Sequence, residues 1–291
     1  MNKRLDLELL QGSVDLHIHS APAPFPRPWD DAELAQLAKA AGMRAIVTKD
    51  HHMGTSARAY YARKLAPDFE IFGGIALNSY EGGINPYAVE AEMVYGGKIV
   101  WMPTVTAAAH LAHFGKPSFT GYTRSFRPVK GISILRDGQV IPEIREVCEM
   151  IAEHDVILAT AHLSLVEIET LVDVAFASGV KKVLITHVNF QIPSLSVAEQ
   201  VRLANRGCFI EYTYLPMSPM WFHKSPKEVA AFIREVGPAR AILSTDVGNY
   251  YNPPPPEAFR CFIQCMLEEG IKPEEIERMV KLNPAKLLGL D

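Results

Sequence analysis

The 291-residue chain is 48% hydrophobic and 21% charged, a composition that can bury a large core and excludes a disordered or fibrous polypeptide. Its 29 basic against 33 acidic side chains leave a formal net charge of -4, which offers no electrostatic basis for a nucleic-acid partner. Four cysteines, Cys148, Cys208, Cys261 and Cys265, are too few and scattered for a disulfide framework and form no CxxC pair, so a reducing cytoplasm is expected.

The opening segment, MNKRLDLELLQG, carries charges where a signal peptide needs an apolar core, and nowhere do roughly 18 apolar residues run together. An unexported protein without a membrane span is expected. Eight short apolar runs rich in valine and isoleucine then follow, separated by helical patterns such as 31–41 and 196–205. They are VDLHIHS from Val14, RAIVTKD from Arg44, EIFGGIALNS from Glu70, KIVWMPT from Lys98, DVILATAHLS from Asp155, KVLITHVNF from Lys182, CFIEYTY from Cys208 and AILSTDVGN from Ala241. Most starts lie 26 to 33 residues apart, one βα unit, and eight such units in a chain of this length predict a single α/β domain over 1–291, a (β/α)8 TIM-like barrel.

One interval, between the fourth and fifth runs, is nearly twice as long. It contains GISILRDGQVI, two apolar stretches around Asp137-Gly138 that read as a β-hairpin. An insertion at 105–142 after strand four would lie over the barrel mouth, as a cap on a bound small molecule or as a plain surface excursion. Two proline clusters, Pro22 to Pro28 and Pro253 to Pro256, read as stiff loops, the second with polyproline II character. Pro273 opens a late helix, and Asn283-Pro284 punctuates it.

In such barrels the reactive groups gather at the carboxyl ends of the strands. Six of the ten histidines fall there. The first run ends in Asp15, His17 and His19, the second in Lys49, Asp50, His51 and His52, the fifth in His162, the sixth in His187 and the eighth in Asp246. His17 and His19 are two apart, so on a strand their side chains share a face, which is metal-ligand geometry. Neutral imidazoles with an aspartate suit zinc, manganese or iron.

This ligand order resembles the amidohydrolase superfamily of metal-dependent barrel enzymes. That family carries HxH on strand one, histidines on strands five and six and an aspartate on strand eight, matched here by His17, His19, His162, His187 and Asp246. The resemblance spans nearly the whole chain, with softer support from HLS, THVNF and the terminal NPAKLLGL. It implies that His17, His19 and Asp246 bind a divalent metal, zinc being favoured, and that Asp246 accepts the proton of the attacking water. His162 completes a one-ion site, or with His187 holds a second ion.

The departure lies on strand four, where binuclear members carry a bridging carboxylate and this chain has Met102, Pro103 and Thr104. One ion is therefore favoured over two, with His187 as a second-shell or transition-state group. Lys49 is the remaining catalytic candidate, carboxylated into a bridge or left cationic for an acidic substrate group. Substrate contacts are assigned to His51 by parity with Lys49, and to Asn78, Tyr80 and Tyr214 at the rim. His110 and His113 share a helical face and suit a loop or lid better than ligation. Arg124 and Arg127 sit in the insertion, within reach of a carboxylate or in solvent.

The expected function is metal-dependent hydrolysis of a small amide, lactone or ester, with room for a substrate carboxylate. Non-oxidative decarboxylation is the alternative within the same superfamily, and a catalytically inactive metal-binding barrel is the alternative outside enzymology. No phosphate-cradling GxxxxGK[ST], no GxSxG elbow and no GxGxxG after the first strand is present. The expected partner is a small molecule, not nucleic acid or membrane; the sequence leaves a homo-oligomer open.

Overall fold

The computed structural model describes residues 4–117 and 126–290. Each of the eight apolar runs forms a strand: β1 (Val14–His19), β2 (Ala45–Lys49), β3 (Glu70–Phe72) with β4 (Gly74–Ala76), β5 (Ile99–Trp101), and, after a short pair β6 (Leu135–Arg136) and β7 (Gln139–Val140), β8 (Ile157–Ala159), β9 (Val183–Ile185), β10 (Phe209–Thr213) and β11 (Ala241–Ser244). The helices are α1 (Leu5–Leu10), α2 (Asp31–Ala40), α3 (Ser56–Leu65), α4 (Pro86–Val94), α5 (Ala108–Phe114), α6 (Pro142–Glu153), α7 (Leu165–Ala177), α8 (Val197–Asn205), α9 (Pro226–Val236), α10 (Pro255–Glu268), α11 (Pro273–Glu277) and α12 (Asn283–Leu288). Helix starts follow capping chemistry. Asp30 and Ser196 accept from the backbone N–H of Glu33 and Glu199, whose carboxylates bond back to the caps.

The result is an α/β fold whose parallel strands form two sheets, β1-β2-β3 and β11-β10-β9-β8-β5-β4, instead of one uninterrupted sheet. The division falls inside the third expected run, at Gly73. A Cβ there would stand 2.4 Å from the backbone nitrogen of Ser56, so only glycine admits the start of α3 at this point. Thr55 fills the break as a substitute strand neighbour: its N–H donates to Gly74 O, its hydroxyl donates to Thr48 O, and it accepts from Gly74 N.

The sheets meet again between first and last strands. Ile18 and Val247 form a parallel bridge, with His19 N donating to Val247 O and Asp246 N to His17 O, each at 2.8 Å. Asp15 locks this seam from within, accepting from His17 N, Thr245 N and the Thr245 hydroxyl, the last at 2.6 Å. Burial pushes its carboxyl up to about 7, against the pull of those hydrogen bonds.

In the long interval, β6 and β7 pair antiparallel, two residues each, across Asp137 and Gly138. Part of 105–142, including Arg124, lies outside the described residues. The Pro253 to Pro256 run is not wholly loop: Pro255 and Pro256 begin α10, where a missing N–H costs nothing because first-turn N–H groups lack helical partners anyway. Among the described residues no helix is long and apolar enough to cross a membrane.

Replacing Asp15 with alanine strands two backbone N–H groups and one hydroxyl in a dry seam, which is expected to cost about 2–4 kcal/mol. Urea unfolding followed by far-ultraviolet circular dichroism checks this; a loss below 1 kcal/mol, on the order of one ordinary hydrogen bond, contradicts the assignment.

Candidate metal centre

Strand alternation separates β1 into two faces. Leu16 and Ile18 pack in the apolar core, while Asp15, His17 and His19 turn the other way, all buried. His17 and His19 converge on Asp246, which follows β11: its Oδ1 lies 3.1 Å from His17 Nε2 and 3.1 Å from His19 Nε2. Ligand atoms of these three residues all fall within 4.8 Å of one another.

The remote ring nitrogens are occupied. His17 Nδ1 lies 3.3 Å from Glu211 Oε2, and His19 Nδ1 lies 3.0 Å from the Lys49 carbonyl oxygen. Each contact holds the ring proton on Nδ1 and turns the Nε2 edge to Asp246, an edge that donates to the carboxylate when protonated and offers a metal its lone pair when deprotonated. A carboxylate and two imidazoles so oriented, each with an outer partner, fit a divalent ion.

Electrostatics tie the carboxylate to its imidazoles: burial lowers the proton affinity of His17, but the Asp246 charge outweighs it and the net shift is upwards. Burial raises the proton affinity of Asp246, but the His17 charge and the His17 and His19 hydrogen bonds outweigh it and hold the carboxyl well below its usual range. Burial, then the Arg27 charge, lowers His19 to about 3. Burial likewise holds His187 at about 4 and His162 well below an ordinary histidine.

His162 and His187 flank the cluster, their ring centres 5.0 Å apart, and His187 lies 5.8 Å from the His17 ring. Backbone turns aim them. Ala161, His187 and Asp246 take positive φ values of 50, 30 and 56°, conformations that cost about 1–3 kcal/mol each in non-glycine residues and concentrate at functional sites. Gly248 closes the last turn; a Cβ there would fall 1.8 Å from His19 O. His187 N donates to Glu211 Oε2 at 3.0 Å, and its buried Nδ1 has no hydrogen-bond partner among the described residues.

Lys49 is 1% exposed, with Nζ donating to His17 Nε2 at 3.1 Å and lying 5.2 Å from the Trp101 ring centre. Burial lowers its ammonium to about 8 although Asp246 and Glu211 pull it up. Lys49 lines a cavity partly open to solvent together with His19, His162, His187 and Asp246, walled also by Phe25, Arg27, His51, Phe190, Trp221 and Asn249.

His51 reaches the cavity as its parity predicts, with Nδ1 2.9 Å from the Thr104 hydroxyl. Three rim assignments do not reach it. Asn78 is fully buried: it donates to His51 O and the Thr104 hydroxyl and accepts from Thr104 N and Thr106 N, tying strand-end loops together. Tyr80 stacks with His52 and Phe126, and Tyr214 packs towards Phe262. His110 turns inwards, its Nδ1 2.9 Å from His162 Nδ1, while His113 contacts Gln191 and Arg127 is exposed.

Glu211 is a site residue that the strand-end histidine pattern does not single out. The signal exists: Tyr212 sends its hydroxyl to Gln200 on α8, so in FIEYT the alternate residue Glu211 must face inwards.

The model of the Family of unknown function (DUF6282) matches residues 12–211. A search of curated proteins finds no match. The fold is shared with an amidohydrolase from Pseudomonas aeruginosa (15% identity, TM-score 0.66, covering 97% of this chain and 98% of that one). It is shared too with the organophosphorus hydrolase from Deinococcus radiodurans (14%, 0.59, 97% and 94%). A third likeness is to 2,6-dihydroxybenzoate decarboxylase from Rhizobium (14%, 0.54, 97% and 99%). The expected α/β fold of parallel strands is thus met, and it is shared with these solved structures.

Glu211→Gln keeps the shape but weakens the outer partner of His17, and zinc affinity is expected to fall about 10–100-fold with little change in thermal unfolding of the metal-free protein. Competition against a fluorescent chelator measures this; unaltered affinity contradicts the role given to Glu211.

Proposed function

The chain belongs to the Family of unknown function (DUF6282), and from its site we propose that it is a metal-dependent hydrolase acting with activated water on a small amide, lactone or ester. One observation carries the proposal: His17 Nε2, His19 Nε2 and Asp246 Oδ1 converge while Glu211 and the Lys49 carbonyl hold the opposite ring edges. A divalent ion bound there, zinc by preference and manganese or iron by the same ligands, lowers the pKa of water and polarises a carbonyl oxygen.

The protein's own groups supply the rest. Asp246, ionised and buried, accepts the proton of the attacking water and returns it to the leaving group. The unpartnered Nδ1 edge of His187 is available to donate to the oxygen that gains negative charge, and the Lys49 ammonium adds a second stabilising charge. His162 sits beside both as a further ligand. We favour one ion, because the β5 end supplies Met102, Pro103 and Thr104 and no bridging carboxylate.

The same reading takes the two parallel sheets as one (β/α)8 barrel with the 105–142 excursion over its mouth. Contacts from α5 support it: His110 meets His162, and Phe114 lies 6.5 Å from Phe190. Cytoplasmic work on a small molecule accords with four free cysteines. Non-oxidative decarboxylation is the second reading. It is favoured by the cationic Lys49 in the cavity and by the likeness to the Rhizobium decarboxylase fold.

Asp246→Asn is expected to lower turnover by at least about 10³-fold on an ester and amide panel. Elemental analysis of protein purified without added metal is expected to give about one ion per chain. Two ions would point to a carboxylated Lys49; none would defeat the catalytic reading.

A further inference from the structure

The arch between β1 and α2 supplies the part of the cavity wall that has no role in holding an ion. Its feet are pinned: Ala21 and Asp30 form a bridge, and Ala21 N donates to Trp29 O at 2.7 Å. Arg58, from α3, donates to the Ser20 hydroxyl at 2.7 Å, to Ala21 O at 2.6 Å and to Asp31 at 2.6 Å. A loop so tied holds its tip in place. That tip carries Phe25, 8% exposed, and Arg27, whose guanidinium carbon lies 4.9 Å from the Phe25 ring centre.

Arg27 lines the cavity together with Lys49, His19 and His51, and a side lobe as well. In the main cavity two cations, Arg27 and Lys49, face one carboxylate, Asp246, and the carboxylate of the side lobe, Asp50, is engaged by Arg58 and His52. A divalent ion on Asp246 would enlarge that surplus. The remaining wall sets an apolar patch of Phe25, Phe190, Leu215 and Trp221 beside four histidines and Asn249, with the Phe190 and Trp221 rings meeting edge to face at 5.9 Å.

We propose that Arg27 forms an anion subsite, beside the Lys49 charge at the reacting centre, that selects substrates bearing a carboxylate on a compact apolar or aromatic body, with Arg27 the specificity-determining residue. The proposal rests on the hydrolase reading for its meaning, since the subsite would hold the substrate while the reactive bond meets Asp246 and His187. A planar guanidinium matches a carboxylate by paired N–H donors, and the patch of Phe25, Phe190, Leu215 and Trp221 receives the body. The decarboxylase reading would use the same subsite.

Benzoate and its neutral isostere benzamide are the probes, titrated calorimetrically into metal-loaded and metal-stripped protein. Benzoate is expected to bind both forms and benzamide at least about tenfold more weakly. Arg27→Met should lose at least about tenfold in benzoate affinity, and Arg27→Lys should recover part of it, both with wild-type metal content. Four results overturn the proposal: no benzoate binding, equal binding of benzamide, wild-type affinity in Arg27→Met, or benzoate binding that requires the metal. Because the stripped protein is read separately, failure of the hydrolase reading through absent metal or absent turnover remains distinct from failure of the subsite.

Discussion

A carboxylate with almost no access to water, Asp246, is the constraint around which the site is built. An isolated buried carboxylate is costly, and this one is matched by His17 and His19 at 3.1 Å each. Those imidazoles in turn need fixed tautomers, which requires Glu211 on one side and the end of β2 on the other. Glu211 then also anchors the backbone of His187. One charge thus organises residues from β1, β2, β9, β10 and the turn after β11.

The strand ends were legible in the sequence because two periodic signals coincide there. Alternation puts His17 and His19 on one face, and the recurrence of βα units puts His162, His187 and Asp246 at equivalent positions of later strands. Glu211 is equally encoded by alternation, but the tyrosines that follow it, Tyr212 and Tyr214, are the more conspicuous candidates for a rim contact. Arg27 was not legible, since a proline-rich loop has no period from which to infer where a side chain points. The sequence suggests Asn78 as a substrate contact at the rim because its actual hydrogen-bond partners, at residues 51, 104 and 106, come together only in the folded molecule.

Gly73 shows the same limit in the fold. The run EIFGGIALNS reads as one strand, and only the approach of Thr55 and Ser56 divides it. The left-handed turns at Ala161, His187 and Asp246 are similar: residue types that disfavour such a conformation occupy it because the surrounding hydrogen bonds over-determine it.

The division into two sheets gives the ligand cluster a second, mechanical meaning. His17 and His19 belong to the three-stranded sheet, while Asp246 continues from the last strand of the six-stranded one. An ion shared among them would rivet two pieces whose direct backbone connection at that seam is short. Binding energy would then resist shear between the sheets, so the reactive centre and the mechanical integrity of the scaffold are drawn from one free-energy reservoir.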